Sequence, residues 1–159
     1  EVIGTVGSDE KAEIARAHGC DHAIVYAREN FAARVREITD GAGVAVVYDS
    51  VGKATFEGSL DCLRPRGMMV SFGNASGKTD PVDLLALGAR GSLFLTRPSL
   101  MNYTETRDEL VERASGLFAA VEAGHVKITV NQIYPLSDAA RAHADLEARA
   151  TTGSTVLIP

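Results

Sequence analysis

Val44-Ala45-Val46-Val47-Tyr48-Asp49-Ser50-Val51-Gly52 is an apolar run that stops at a polar, glycine-containing corner. Four consecutive apolar residues without alternation read as a strand covered by helices on both faces, as in parallel sheets. Ligands of open α/β sheets bind outside the carboxyl ends of their strands, which makes the corner from Asp49 to Gly52 the expected functional tip.

The residues before that strand repeat one unit. Glu1-Val2-Ile3-Gly4-Thr5-Val6 reads as a strand, and Gly7-Ser8 as a corner in which Ser8 caps a helix running to His18 and stopped by Gly19. His22-Ala23-Ile24-Val25-Tyr26 reads as a second strand. Phe31, Val35 and Ile38 mark the apolar stripe of the next helix, and Asp40-Gly41-Ala42-Gly43 punctuates. With a strand at its first residue and no methionine or leader pattern before it, the chain reads as a piece of something longer.

Beyond the corner the alternation continues. Phe56, Leu60 and Leu63 mark a third helix, stopped by Arg64-Pro65-Arg66-Gly67, and Met68-Met69-Val70-Ser71-Phe72 is a fourth strand. Pro81 suits the first turn of a short helix through Leu87, followed by a strand from Gly91 to Thr96. Leu110, Ala114, Leu117, Phe118 and Val121 line a long helix, with Thr106 and Glu109 spaced as a capping box and Gly124 as its stop. An extended piece through Ile133-Tyr134, a helix from Ser137 to about residue 149 and a strand Thr155-Val156-Leu157-Ile158 complete the chain. Right-handed crossovers turn such alternation into a doubly wound parallel α/β sheet.

At 159 residues and 45% hydrophobic content, the chain has the size of one domain able to bury a core. A net charge of -5 without charged blocks speaks against a general nucleic-acid or anionic-membrane binder, and no apolar run reaches membrane-spanning length. The two cysteines, Cys20 and Cys62, are isolated, and the four histidines are scattered, with His18 and His22 separated by the helix-ending Gly19. Neither a disulfide framework nor a metal site is expected, and a reducing cytoplasm is the expected compartment.

Gly73-Asn74-Ala75-Ser76-Gly77-Lys78-Thr79 follows a strand and ends like a nucleoside-triphosphate P-loop. Its spacing is one residue short, and Asp80-Pro81 intervenes before the next helix, so the phosphate-wrapping reading fails. A dinucleotide reading fits more of the chain. A carboxylate at the tip of the second strand of a dinucleotide sheet selects a free ribose 2'-hydroxyl. Here the first tip carries Thr5-Val6-Gly7-Ser8 with no carboxylate; Gly7 and Ser8 offer donors, Lys11 follows one turn later, and Tyr26 ends the neighbouring strand. Those groups suit a 2'-phosphate. They also suit plain structural duty, with Ser8 as a cap, Lys11 solvated and Tyr26 on the rim, and Asp9 and Glu10 in the same turn count against a phosphate. Asp49 reads as structural or as a cofactor edge, and no residue stands out as a general acid or base.

Taken together, the chain resembles the cofactor domain of the NADPH-dependent quinone oxidoreductases, the zeta-crystallin-like branch of the medium-chain dehydrogenase/reductase family. The stretches that carry the resemblance are Ile3 to Gly7, Val46 to Gly52, Ser59 to Gly67, Ser71 to Asn74, Thr96-Arg97-Pro98-Ser99-Leu100 and Gly153-Ser154. It implies NADPH as cofactor, with Gly7, Ser8, Lys11 and Tyr26 around the 2'-phosphate and Ser50 and Gly52 beside the adenosine. Phe72, Gly73, Asn74, Phe94, Leu95 and Thr96 would lie along the nicotinamide half, and Arg149 matches an arginine that reaches back toward the cofactor. It also implies hydride transfer to a quinone or related conjugated carbonyl, and a homodimer paired through the strand from Gly91 to Thr96.

Two family features are absent: the N-terminal catalytic domain, and the first strand with its glycine-rich pyrophosphate turn. Residues 1–159 therefore read as a partial NADP-binding domain with a gap between its first and third strands. Such a chain is expected to lack turnover by itself. The rival reading is a non-catalytic nucleotide-binding or dimerisation module. A methyltransferase would need the glycine-rich turn after its first strand, which this chain does not have.

Overall fold

Each strand-helix unit closes with local chemistry legible in its residues. In the computed structural model, which describes all of residues 1–159, β1 (Ile3–Val6) leads into α1 (Asp9–Ala17), whose cap Ser8 accepts a hydrogen bond from the Lys11 N–H. Gly19 (φ 91) ends that turn before β2 (His22–Val25). Asn30 caps α2 (Phe31–Ile38) by accepting from the Ala33 N–H, and Gly41 and Gly43, both at positive φ, return the chain to β3 (Val44–Asp49). Next come α3 (Phe56–Asp61), β4 (Leu63–Ser71), α4 (Leu84–Ala89) and β5 (Phe94–Thr96).

These elements form the first of two compact units, Glu1–Ser99. All of its strand pairs are parallel, in the α/β architecture expected, but they form two sheets. One is β1-β2 and the other is β3-β4-β5. β1 and β3 are not bonded to each other. Between them lies a slot of about 690 Å³, lined along its length by Val2, Ile3 and Thr5 on one side and Val44, Val46 and Tyr48 on the other. The gap expected between the first and third strands is therefore present.

The two sheets are joined by α2. Ile24, Val35 and Cys62 form a buried cluster with Ile3, Phe31, Ala32, Ile38, Val44 and Val47 packed around it. Arg36 adds a polar clasp, donating from Nε to the Asp61 carbonyl (3.0 Å), from Nη1 to that of Gly41 (2.9 Å) and from Nη2 to that of Leu63 (2.8 Å). A second cluster, Phe56, Leu60, Leu63, Met69 and Leu93, fills the space between the three-stranded sheet and its helices.

Four expectations change. The strand at Val44 to Asp49 is buried on one face only: Val47 packs inward, whereas Val46 is 41% and Tyr48 74% exposed. Right-handed crossovers place α2, α3 and α4 on the face opposite α1, because the chain reverses its direction across the sheet between β2 and β3. No helix of this unit is left to cover Val46 and its aligned partners Met68 and Phe94, all of them exposed. Arg64 to Gly67, read as a stop, is part of β4. Val44 pairs with Leu63 and Val46 with Met68, so the extra residues bulge outward, with Arg66 at φ 61. Pro81 lies outside α4, which is capped instead by Asp83 accepting from the Leu85 N–H. The edge strand is shorter than Gly91 to Thr96, because Gly91 and Ser92 both take positive φ and make a corner before Phe94.

The second unit, Leu100–Pro159, contains α5 (Leu100–Tyr103), α6 (Arg107–Glu122), β6 (Val130–Pro135), a 3-10 turn (Leu136–Asp138), α7 (Ala139–Glu147) and β7 (Ser154–Ile158). The capping box of α6 forms as expected, with the Thr106 hydroxyl accepting from the Glu109 N–H and the Glu109 carboxylate from the Thr106 N–H. β6 and β7 pair in parallel as a sheet of their own. No helix in the chain is long and apolar enough to cross a membrane.

Candidate functional site

The first unit offers two groups of loops, both at carboxyl ends of strands. At the tips of β3 and β4 the organising group is Asp49, whose side chain is buried. Its Oδ1 accepts from the N–H groups of Val51 (2.8 Å) and Gly52 (2.9 Å), and its Oδ2 from the hydroxyls of Thr55 and Ser59 (both 2.7 Å). Burial works to raise the carboxyl's pKa, but the hydrogen bonds from Gly52, Ser59, Thr55 and Val51 prevail and hold it below the usual carboxylate value. A carboxylate bonded in this way is a brace. It has no oxygen spare for a proton relay.

The brace sets the Ser50-Val51-Gly52 corner against the tip of β4. Phe72 N–H donates to the Asp49 carbonyl (2.9 Å) and Ala75 N–H to that of Ser50 (3.2 Å). Ser76 bonds the Val51 carbonyl through both its N–H (2.7 Å) and its hydroxyl (2.8 Å). Approach is so close that a Cβ on Gly73 would lie 2.2 Å from the Ser50 carbonyl oxygen. Gly52 (φ 88) likewise faces the Gly77 carbonyl, 2.7 Å from where a Cβ would stand. Ser50, Gly52, Gly73 and Asn74 are thus assembled in one place. The P-loop reading of Gly73 to Thr79 is excluded by the same bonds, since the Ala75, Ser76 and Gly77 N–H groups that would wrap a phosphate are spent on Ser50, Val51 and Asn74.

Arg97, to which the sequence reading assigned no role, reaches back from beyond β5. Its Nη1 donates to the carbonyls of Ser71 (2.9 Å) and Gly73 (3.1 Å) and fixes the β4 tip to the β5 tip. Phe72 is half exposed at the mouth of this group, and Thr96 ends β5 level with Val70. The Leu95 side chain packs against the core, and Phe94 projects from the opposite, open face.

At the tips of β1 and β2 the other four residues meet. Tyr26 N–H donates to the Val6 carbonyl (3.1 Å), which brings the ring over Gly7: a Cβ there would lie 3.2 Å from the phenol oxygen. Ser8 caps α1 with its hydroxyl, and Lys11 is in the first turn. Asp9, in the same turn, is held in a fork by Arg28, with Nη1 to Oδ2 and Nη2 to Oδ1 both at 2.7 Å. Arg149 belongs to the second unit, just past α7, with left-handed backbone (φ 58).

Residues 18–157 match the zinc-binding dehydrogenase family. The whole chain is 54% identical to a quinone oxidoreductase of Pseudomonas aeruginosa, and 99% of it is 54% identical to a 2-haloacrylate reductase of a Burkholderia species. The crystal structure of Escherichia coli quinone oxidoreductase complexed with NADPH superposes with a TM-score of 0.95 at 52% identity, over 100% of this chain and 49% of that one. The chain spans about half the length of the curated relatives it matches, 49% and 48% for these two.

The family name carries zinc, and the residues here do not fit it. No group of three or more His, Cys, Asp or Glu side chains is placed to hold a metal. Burial pushes the Cys62 thiol up to about 11, and the thiol belongs to no group of three potential ligands. No zinc-dependent chemistry can be derived from these side chains.

Proposed function

The chain belongs to the zinc-binding dehydrogenase family, and on that premise we propose that residues 1–159 are a partial NADP-binding domain of a quinone oxidoreductase. The parent enzyme carries hydride from NADPH to a quinone or related conjugated carbonyl without zinc. The observation that supports this reading is the β1 tip, where the Tyr26 ring lies over Gly7 and the Ser8 cap opens the helix that carries Lys11, with no carboxylate at the end of the strand itself. The relative named for 2-haloacrylate, an acceptor with a conjugated double bond, favours conjugated acceptors more broadly than quinones.

When bound, the dihydronicotinamide supplies the hydride, and the protein's part is position. Ser8 and Lys11 would hold the 2'-phosphate beneath Tyr26, and Ser50 and Gly52 would border the adenosine. Phe72, Gly73, Asn74 and Thr96 would flank the nicotinamide half, with Leu95 packed behind them in the core and Phe94 on the open face. Asp49 and Arg97 act behind these residues by fixing the backbone of the two tips. The exposed edge of β5 supports a homodimer that continues the three-stranded sheet, in a cytoplasmic protein.

Calorimetric titration with 2',5'-ADP and with 5'-AMP tests the cofactor reading on this chain. The expected result is tighter binding of 2',5'-ADP by about tenfold to a hundredfold, lost in Lys11→Ala, as for one or two hydrogen bonds to a charged group. Equal affinity for the two ligands overturns it. The chain alone is expected to show no quinone-dependent consumption of NADPH.

A further inference from the structure

We propose that Arg28 makes the tip of β1 selective for a 2'-phosphate by neutralising Asp9, and that the two residues act as a specificity pair. The proposal rests on the NADPH reading of the preceding subsection and names a residue which that reading does not use.

Asp9 is the first residue of α1, directly after the cap Ser8. A helix N-terminus attracts negative charge, and the Asp9 carboxylate takes up the place where a 2'-phosphate on Ser8 and Lys11 would also seek the helix end. Two anions cannot share that end cheaply. Without Arg28 the charged side chains of residues 7 to 11 and 26 to 28 are two carboxylates, Asp9 and Glu10, against Lys11 alone.

Arg28 changes this balance through geometry. It sits in the turn after β2, where its N–H donates to the Val25 carbonyl (3.0 Å), two residues beyond Tyr26. From there the guanidinium crosses to α1 and takes both Asp9 oxygens at 2.7 Å, a parallel fork that lysine could not make. The carboxylate is neutralised and turned toward the β2 side. Both partners are mostly exposed, at 59% and 73%, so the pair contributes little to stability. Its consequence falls on what approaches the tip.

The test titrates 2',5'-ADP and 5'-AMP into the wild-type chain, Arg28→Gln and the double variant Asp9→Asn/Arg28→Gln, with thermal melts to verify folding. Arg28→Gln is expected to weaken 2',5'-ADP by about threefold to tenfold, with 5'-AMP unmoved, in line with the modest strength of exposed charge interactions. The double variant is expected to regain the loss, because the uncompensated carboxylate is gone. Failure of Asp9→Asn to rescue overturns the proposal and makes Arg28 a direct phosphate ligand; equal weakening of both ligands overturns it in favour of a structural role. A wild-type preference that Lys11→Ala abolishes and Arg28→Gln leaves intact overturns this proposal alone. No preference in the wild type overturns the cofactor reading together with it.

Discussion

Asp49 illustrates how one side chain can decide the form of a loop. Four donors converge on it from Val51, Gly52, Thr55 and Ser59, and removing its charge leaves several of them without an ionised acceptor. Asp49→Asn is expected to lower the free energy of unfolding by about 2 kcal/mol, read from urea midpoints. The pH dependence has a definite sign. Because the folded-state pKa lies below the ordinary 3.8, the stabilisation is complete above that value, fades as the pH falls past it, and is lost below the folded-state pKa. The wild type should therefore lose stability more steeply than Asp49→Asn below about pH 4, and parallel acid titrations would contradict the assignment. The sequence placed Asp49 at a strand tip and favoured a structural or cofactor-edge role. Its bond partners were not legible, because Thr55 and Ser59 are drawn in only once α3 has formed.

At the scale of elements, the glycines separate contact from permissiveness. A methyl at residue 73 would press on the Ser50 carbonyl from 2.2 Å, whereas one at Gly116, in the middle of α6, would meet nothing within 4 Å. Gly73→Ala is expected to cost about 1–3 kcal/mol through forced separation of the β3 and β4 tips. Gly116→Ala should add about 0.5–1 kcal/mol from helix propensity. Denaturation of the two variants side by side checks both signs. Helix starts at Ser8 and Thr106 were legible because a cap is a local event. The β4 bulge, the short β5 and the cap at Asp83 were not, because pairing across strands decides them. The open face of β3 was misread for a related reason: an unbroken apolar run signals burial on two faces, but the helix that would cover Val46 and Tyr48 has to come from elsewhere.

For the molecule as a whole, sheet order sets the ranking of local stability. β4 alone has a bonded strand on each side; every other strand has one partner. Amides of β4 from Met68 to Ser71 are expected to exchange most slowly with deuterium, and the slot-facing amides of β1 and β3 far faster. Equal protection of β1, β3 and β4 would show that the slot closes in solution. The slot itself was anticipated from the family resemblance, whereas the division of the chain at Ser99 was not, since the alternation of strand and helix runs on without a break in composition. The Arg36 clasp was equally invisible, because its three carbonyl partners come from three separate segments. Mechanically, that clasp and the cluster around Val35 behave as a hinge pin set between two stiff plates. Load drawn across the first unit would pass through side-chain packing in series with the hydrogen-bonded ladders, and the compliance would be concentrated at α2.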